Sequence, residues 1–172
     1  MKKIALTLCL AFAALIGMQA QSVCYIDTEE ILETVPEYQK AQEQLNKLAD
    51  SYRSTIETEL GAVDKLYKDY QNKKASLSAS ERQKLEEEII TKEKAVKTKQ
   101  NTYFGEDGVM ATKSDELLSP IKEKLQTAID AVAYKYNCSI IIDLAITTGI
   151  VYRDERFNLT DEVIDYLNKS MK

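Results

Sequence analysis

The sequence predicts an α+β chain that is mostly α, with a small β-rich oligomerisation body and one long antiparallel helical hairpin per subunit. Three observations carry that reading. Apolar residues recur at helical spacing for about 40 residues after Pro36. A capping signal, Ser78 with Glu81, restarts a helix soon after that run ends. Short apolar stretches suited to strands stand near both ends of the chain, at Val23–Asp27 and Ser139–Leu144.

The elements follow in order. Lys2 and Lys3 precede an uncharged apolar run, Ile4–Met18, and then Gln19-Ala20-Gln21. The run is shorter than the roughly 20 residues a membrane-spanning helix needs. It reads as a secretory signal peptide over residues 1–20, cut after Ala20. The mature chain is then periplasmic, and no second apolar span supplies an integral membrane segment. Of three cysteines, Cys24 and Cys138 remain. An oxidising compartment permits their pairing, and both stand at the start of expected strands. Two buried free thiols are the alternative.

After the first strand comes a short helical turn through Ile31 and Leu32. Thr34-Val35-Pro36-Glu37 reads as a helix start, with Thr34 as the cap. The seam then runs through Tyr38, Ala41, Leu45, Leu48, Tyr52, Ile56, Leu60, Val63, Tyr67, Tyr70 and Leu77. Its steps of three and four, closing on one of seven from Tyr70 to Leu77 with Lys74 in the skipped slot, resemble a heptad repeat with a local relaxation near Ile56. The return helix is poorer in apolar residues. Leu85, Ile89, Val96 and Tyr103 hold its seam, with Lys92 and Lys99 between them, so the distal hairpin should be only locally stable. Gly105 and Gly108 interrupt it, because glycine costs a helix interior about 1 kcal/mol.

Helicity resumes through Met110, Leu117, Ile121, Leu125, Ala128, Val132 and Tyr136, with a bend expected at Pro120 and a left-handed cap at Asn137. Ser139–Leu144 suits a strand buried on both faces. Ile150-Val151-Tyr152 suggests a partner strand. Thr160 is expected to cap a last helix that carries Asp161 and Glu162 in its first turn and packs through Val163, Ile164 and Leu167. The domains expected are a body of residues 21–36 plus 120–172 and a hairpin arm of residues 37–119. A body of roughly 70 residues is marginal alone. A homo-oligomer is therefore expected, sharing a core at Val23, Tyr25, Ile26, Ile140, Ile142 and Val151.

Composition narrows the function. The chain has no histidine, which removes Ser-His-Asp and Cys-His nucleophile pairs and imidazole metal ligands. Its five glycines form no phosphate-cradling motif. No catalytic residue, cofactor or metal is expected. Asp154-Glu155 and Asp161-Glu162 sit at a turn and a helix start, where acids are ordinary. Cleavage after Ala20 removes two lysines, taking the net charge from −5 to −7. Residues 73–100 nevertheless hold eight basic and five acidic residues, a stretch that reads either as a solvated helix face or as an attractor of acidic partners. Export and the acidic balance argue against nucleic acid.

These residues together resemble the Skp/OmpH family of periplasmic chaperones. The resemblance rests on Val23-Cys24-Tyr25-Ile26-Asp27, the hairpin, Ser139-Ile140-Ile141-Ile142-Asp143 and Ile150-Val151-Tyr152. Pro36-Glu37-Tyr38 and Tyr103-Phe104-Gly105 look like the branch found in Bacteroidetes-type bacteria. The likeness implies a homotrimer whose strands share one small body and whose helical arms enclose a cavity. It further implies an ATP-independent holdase that keeps unfolded outer-membrane proteins from aggregating until the outer-membrane insertion machinery receives them. Candidate client-facing residues are Tyr52, Ile56, Leu60, Val63, Tyr67 and Tyr70, with Lys84, Lys92, Lys94 and Lys97 nearer the tip. The apolar members have an alternative role in closing the hairpin seam. The rival reading of the whole is a structural coiled-coil spacer or adaptor of the envelope that has no unfolded client.

Overall fold

The computed structural model describes residues 22–170. The expected export signal lies outside the described residues. The elements are β1 (Ser22–Ile26), α1 (Thr28–Glu33), α2 (Pro36–Lys73), α3 (Ala79–Phe104), α4 (Val109–Lys135), β2 (Cys138–Asp143), a 3-10 turn (Glu155–Phe157) and α5 (Thr160–Ser170). They group into two compact units. Residues 22–34 with 124–170 form one, and residues 35–123 form the other.

In the first unit β1 and β2 pair in parallel, with Val23 opposite Ile140, Cys24 opposite Ile141 and Tyr25 opposite Ile142. Parallel strands need a crossover; here the connection contains all of α1 to α4. The far side of β1 is also engaged, since the Leu159 amide donates to the Tyr25 carbonyl at 2.9 Å. Cys24, Tyr25 and Ile26 are therefore buried, together with Ile31, Ala128, Val132, Val163 and Leu167. Polar side chains fix the ends of these elements. Asp27 caps α1 by accepting from the amides of Glu29 and Glu30. Asp143 accepts from the Thr28 amide at 3.1 Å and the Thr28 hydroxyl at 2.7 Å.

Four expectations need correction. Thr34 does not cap α2. Its hydroxyl donates back to the Ile31 carbonyl at 2.7 Å, and Val35 occupies the N-cap position without a side-chain bond. Thr160 is the first residue of α5 rather than its cap; its hydroxyl accepts from the Asp27 amide at 3.1 Å and donates to Asn158 Oδ1 at 2.7 Å. A hydroxyl serves whichever backbone group comes within reach, and in both places a neighbour competes with the helix start. β2 is not buried on both faces, because a two-stranded sheet leaves Ser139 and Ile140 exposed. Residues 150–152 form no strand. β2 is paired with β1, and the segment after Gly149, whose φ of 88° suits glycine, is irregular and exposed.

The second unit is built on the antiparallel pairing of α2 and α3. Partner numbers fall on one helix as they rise on the other, from Tyr52 with Tyr103, through Glu59 with Lys99, to Tyr70 with Glu86. Its core is Ile56, Val63 and Tyr70 of α2 against Ile89 and Val96 of α3, with Leu66, Leu77, Leu85 and Tyr103 packed alongside. α2 has 38 residues, a rod of about 57 Å. The turn into α3 is closed by the full capping box. The Ser78 hydroxyl accepts from the Glu81 amide while the Ser78 amide donates to the Glu81 carboxylate at 2.8 Å. Those bonds hold the Glu81 carboxyl below its ordinary pKa. The α3–α4 break needs its glycines, since a Cβ on Gly105 would run into the Asn101 carbonyl and one on Gly108 would come within 2.9 Å of the Gly105 backbone.

Candidate functional site

The candidate residues on α2 separate by exposure into three groups. Ile56, Val63 and Tyr70 are buried in the α2–α3 seam. They face the partner helix because they repeat every seven residues on the column that α3 covers. Tyr52 is half-buried, its ring stacked on Tyr103 at 4.0 Å between centroids. Leu60 and Tyr67 are exposed. Each follows a buried residue by four positions, which turns it about 40° out of the seam. Lys84, Lys94 and Lys97 are exposed, and Lys92 is paired with Glu88 at 3.7 Å. Ile90 and Phe104 of α3 are also exposed. Sequence reading passed over them, although Ile90 beside the seam residue Ile89 could have signalled one side chain too many for the seam.

The seam has polar contacts as well. The Tyr70 hydroxyl donates to Glu86, and that bond, followed by burial, raises the phenol above its ordinary pKa. Lys74 lies over the Tyr70 ring at 5.4 Å. Lys99, a seam position on the sequence pattern, is paired with Glu59, which raises the ammonium pKa against the opposing effect of burial. A lysine can occupy that slot because its stem packs while its charge meets a partner.

The residues expected to share an oligomeric core also separate. Tyr25 and Ile26 are covered by their own chain, Ile142 is half-buried, and Val23, Ile140 and Val151 are exposed, Val151 at 99 %. Ile146 and Tyr152 join the exposed set. Cys24 and Cys138 are joined as a disulfide with their Cα atoms 5.9 Å apart, so the strand starts are tied covalently. The Tyr25 hydroxyl is buried and, among the described residues, only the Glu155 carboxylate approaches it, too loosely for a well-formed hydrogen bond. Arg153 stands over its ring at 5.4 Å, and burial, then Glu155, raises its pKa.

Among the described residues, two concavities bear on the question of a site. One, of about 480 Å³, lies at the α3–α4 break beside Asn101, Gly105 and Lys113. The other, of about 420 Å³, lies between the end of α4 and α5 and mixes Asp161, Glu162 and Asp165 with Lys135 and Lys169. Neither gathers a nucleophile with a base. Among the described residues, no three His, Cys, Asp or Glu side chains are grouped to hold a metal, and no helix is long and apolar enough to cross a membrane.

A helical hairpin carried, in sequence, between the two strands of a small parallel sheet places the protein in a distinctive α+β class. The family described as outer membrane protein (OmpH-like) matches residues 22–167, and the chain belongs to that family. It is 24 % identical over 160 residues to the chaperone protein Skp of Yersinia enterocolitica, a match spanning 93 % of this chain and 94 % of that one. Its fold is shared with the solved structure of an OmpH-like protein from Caulobacter crescentus CB15. The TM-score is 0.63, with 18 % identity, over 90 % of this chain and 88 % of the other.

Proposed function

We propose that this protein is an ATP-independent periplasmic holdase that binds unfolded outer-membrane proteins and prevents their aggregation before membrane insertion. The observation that carries the reading is the family match across residues 22–167; the relative named as a chaperone supports it along nearly the whole chain. A sequence without a nucleotide-binding motif is suited to passive holding, in which many weak contacts replace a driven cycle, and no enzymatic step is assigned. Residues 37–119 would serve as the arm and residues 21–36 with 120–172 as the body. Three copies would enclose the client and pass it to the insertion machinery of the outer membrane.

Trimer formation is supported by the apolar side chains of Val23, Ile140, Ile146, Val151 and Tyr152, which the single chain leaves in water. Exposed apolar side chains in such number within one small unit mark an interaction surface. The outer edge of β2 is also open to a further strand, since β1 is its only sheet neighbour among the described residues.

The test is a porin diluted from urea into a molar excess of the mature protein, followed by light scattering. The porin should stay soluble, and the protein alone should scatter with the mass of three chains. Aggregation that proceeds unchecked would leave the spacer reading in possession, and a monodisperse single chain would remove the trimer.

A further inference from the structure

The two flanks of the α2–α3 pair differ, and the difference points to where a partner lies. Glu59 and Leu60 emerge on opposite sides of the buried Ile56–Val63 column. The Glu59 side is closed by the ion pair to Lys99. On α3, Phe104 and Ile90 are separated by two heptads and lie five and nine residues from Lys99, about 140° and 180° round the helix, which puts them away from the Glu59 side. The Phe104 ring meets Arg53, seven residues before Leu60, at 6.0 Å and the edge of Tyr52 at 6.4 Å. Leu60, Tyr67, Ile90 and Phe104 therefore share one flank. They are also all the exposed large apolar side chains that the described α2 and α3 carry, at 44, 47, 48 and 41 % exposure.

We infer that this flank, and not the seam, is the surface on which the hairpin holds a non-native polypeptide segment bearing apolar side chains. The inference rests on the holdase reading and adds which side chains do the holding. The area favours that occupant over a folded partner or a second hairpin. At these exposures, and at roughly 200 Å² for a large side chain, the four leave about 350 Å² open. A stable interface between folded proteins takes about 800 Å² from each partner, of which about 450 Å² is non-polar, more than these four side chains offer. The strip is also narrow and long, about 21 Å from the level of Arg53 to that of Tyr67, which suits an extended chain gripped at intervals and released easily. Ile56, Val63 and Tyr70 contribute by keeping the two helices together.

The experiment compares full mature proteins in the porin dilution assay. The triple variant Leu60→Gln, Tyr67→Gln, Ile90→Gln should need about tenfold more protein for the same suppression. A variant of the opposite flank, Glu59→Gln with Lys99→Gln, should stay within about twofold of wild type. Far-ultraviolet circular dichroism and mass should be unchanged in both. A photo-cross-linking residue placed singly at positions 60, 67 and 90 should capture unfolded porin, and one at positions 55 and 62 on the other flank should not. This second arm reads the flank even if the triple variant folds poorly. Undiminished holding by the triple variant, or equal capture from both flanks, would overturn the assignment while leaving the holdase reading standing. Failure of the wild-type protein to hold porin would overturn the holdase reading itself, and the assignment with it.

Discussion

Reducing the Cys24–Cys138 bond is expected to lower the stability of the first unit by about 4–5 kcal/mol. The two cysteines are 114 residues apart, and closing a loop of that order removes about this much chain entropy from the unfolded state. Thermal unfolding followed with and without dithiothreitol should show a midpoint drop of about 10–15 °C, at roughly 2–4 °C per kcal/mol for a chain of this size. The double variant Cys24→Ala, Cys138→Ala should behave like the reduced protein and be indifferent to the reductant. The large effect comes from topology. β1 has only five residues, and without the covalent tie its parallel partner β2 must be found across a very long excursion. Equal midpoints in the two conditions would mean that the bond does not form in solution or that the reduced ensemble is already compact.

Ile31→Ala should cost about 2–5 kcal/mol, the range for truncating a large aliphatic side chain in a core that cannot collapse around the hole. Ile31 is 0 % exposed on the six-residue α1. A helix that short has almost no stability of its own, so its place depends on what that one side chain touches. Urea unfolding should show the loss as a lower midpoint with an unchanged slope. Lys47→Ala is the matching surface control. Its pairing with Glu43 at 2.5 Å is between two largely exposed side chains, where solvent screening leaves little net stabilisation to lose. Comparable losses from the two substitutions would mean that α1 is not seated as described.

Much of this architecture is legible in the residues, and the reason is locality. The Ser78–Glu81 box, the glycine break at 105–108 and the left-handed Asn137, at φ 53°, each depend on groups a few positions apart. The long repeat behind α2 depends only on its own period. The misreadings involve longer reach. Thr34 and Thr160 carry the right chemistry for caps, but a carbonyl behind Thr34 and the Asp27 amide, 133 positions from Thr160, take their hydroxyls. Ile150-Val151-Tyr152 has the composition of a strand, yet a strand exists only where a neighbour offers its edge, and that depends on pairing the composition does not encode. The same limit applies to the candidate surface. Period alone places Leu60 and Tyr67 near the seam beside Ile56 and Val63, and only the position of α3 decides which of them stay in water.

The parallel pairing of β1 with β2 also sets a timetable. A chain that emerges amino terminus first presents Ser22–Ile26 long before Cys138–Asp143 exists, while everything α2 and α3 need from each other arrives in between. The hairpin can therefore zip from its Ser78 turn early and quickly, through contacts close along the chain. The first strand must wait as an unclaimed edge until almost the last residues have appeared. Maturation thus ends where the polypeptide began, and oxidation of the two thiols is the latch that records its completion.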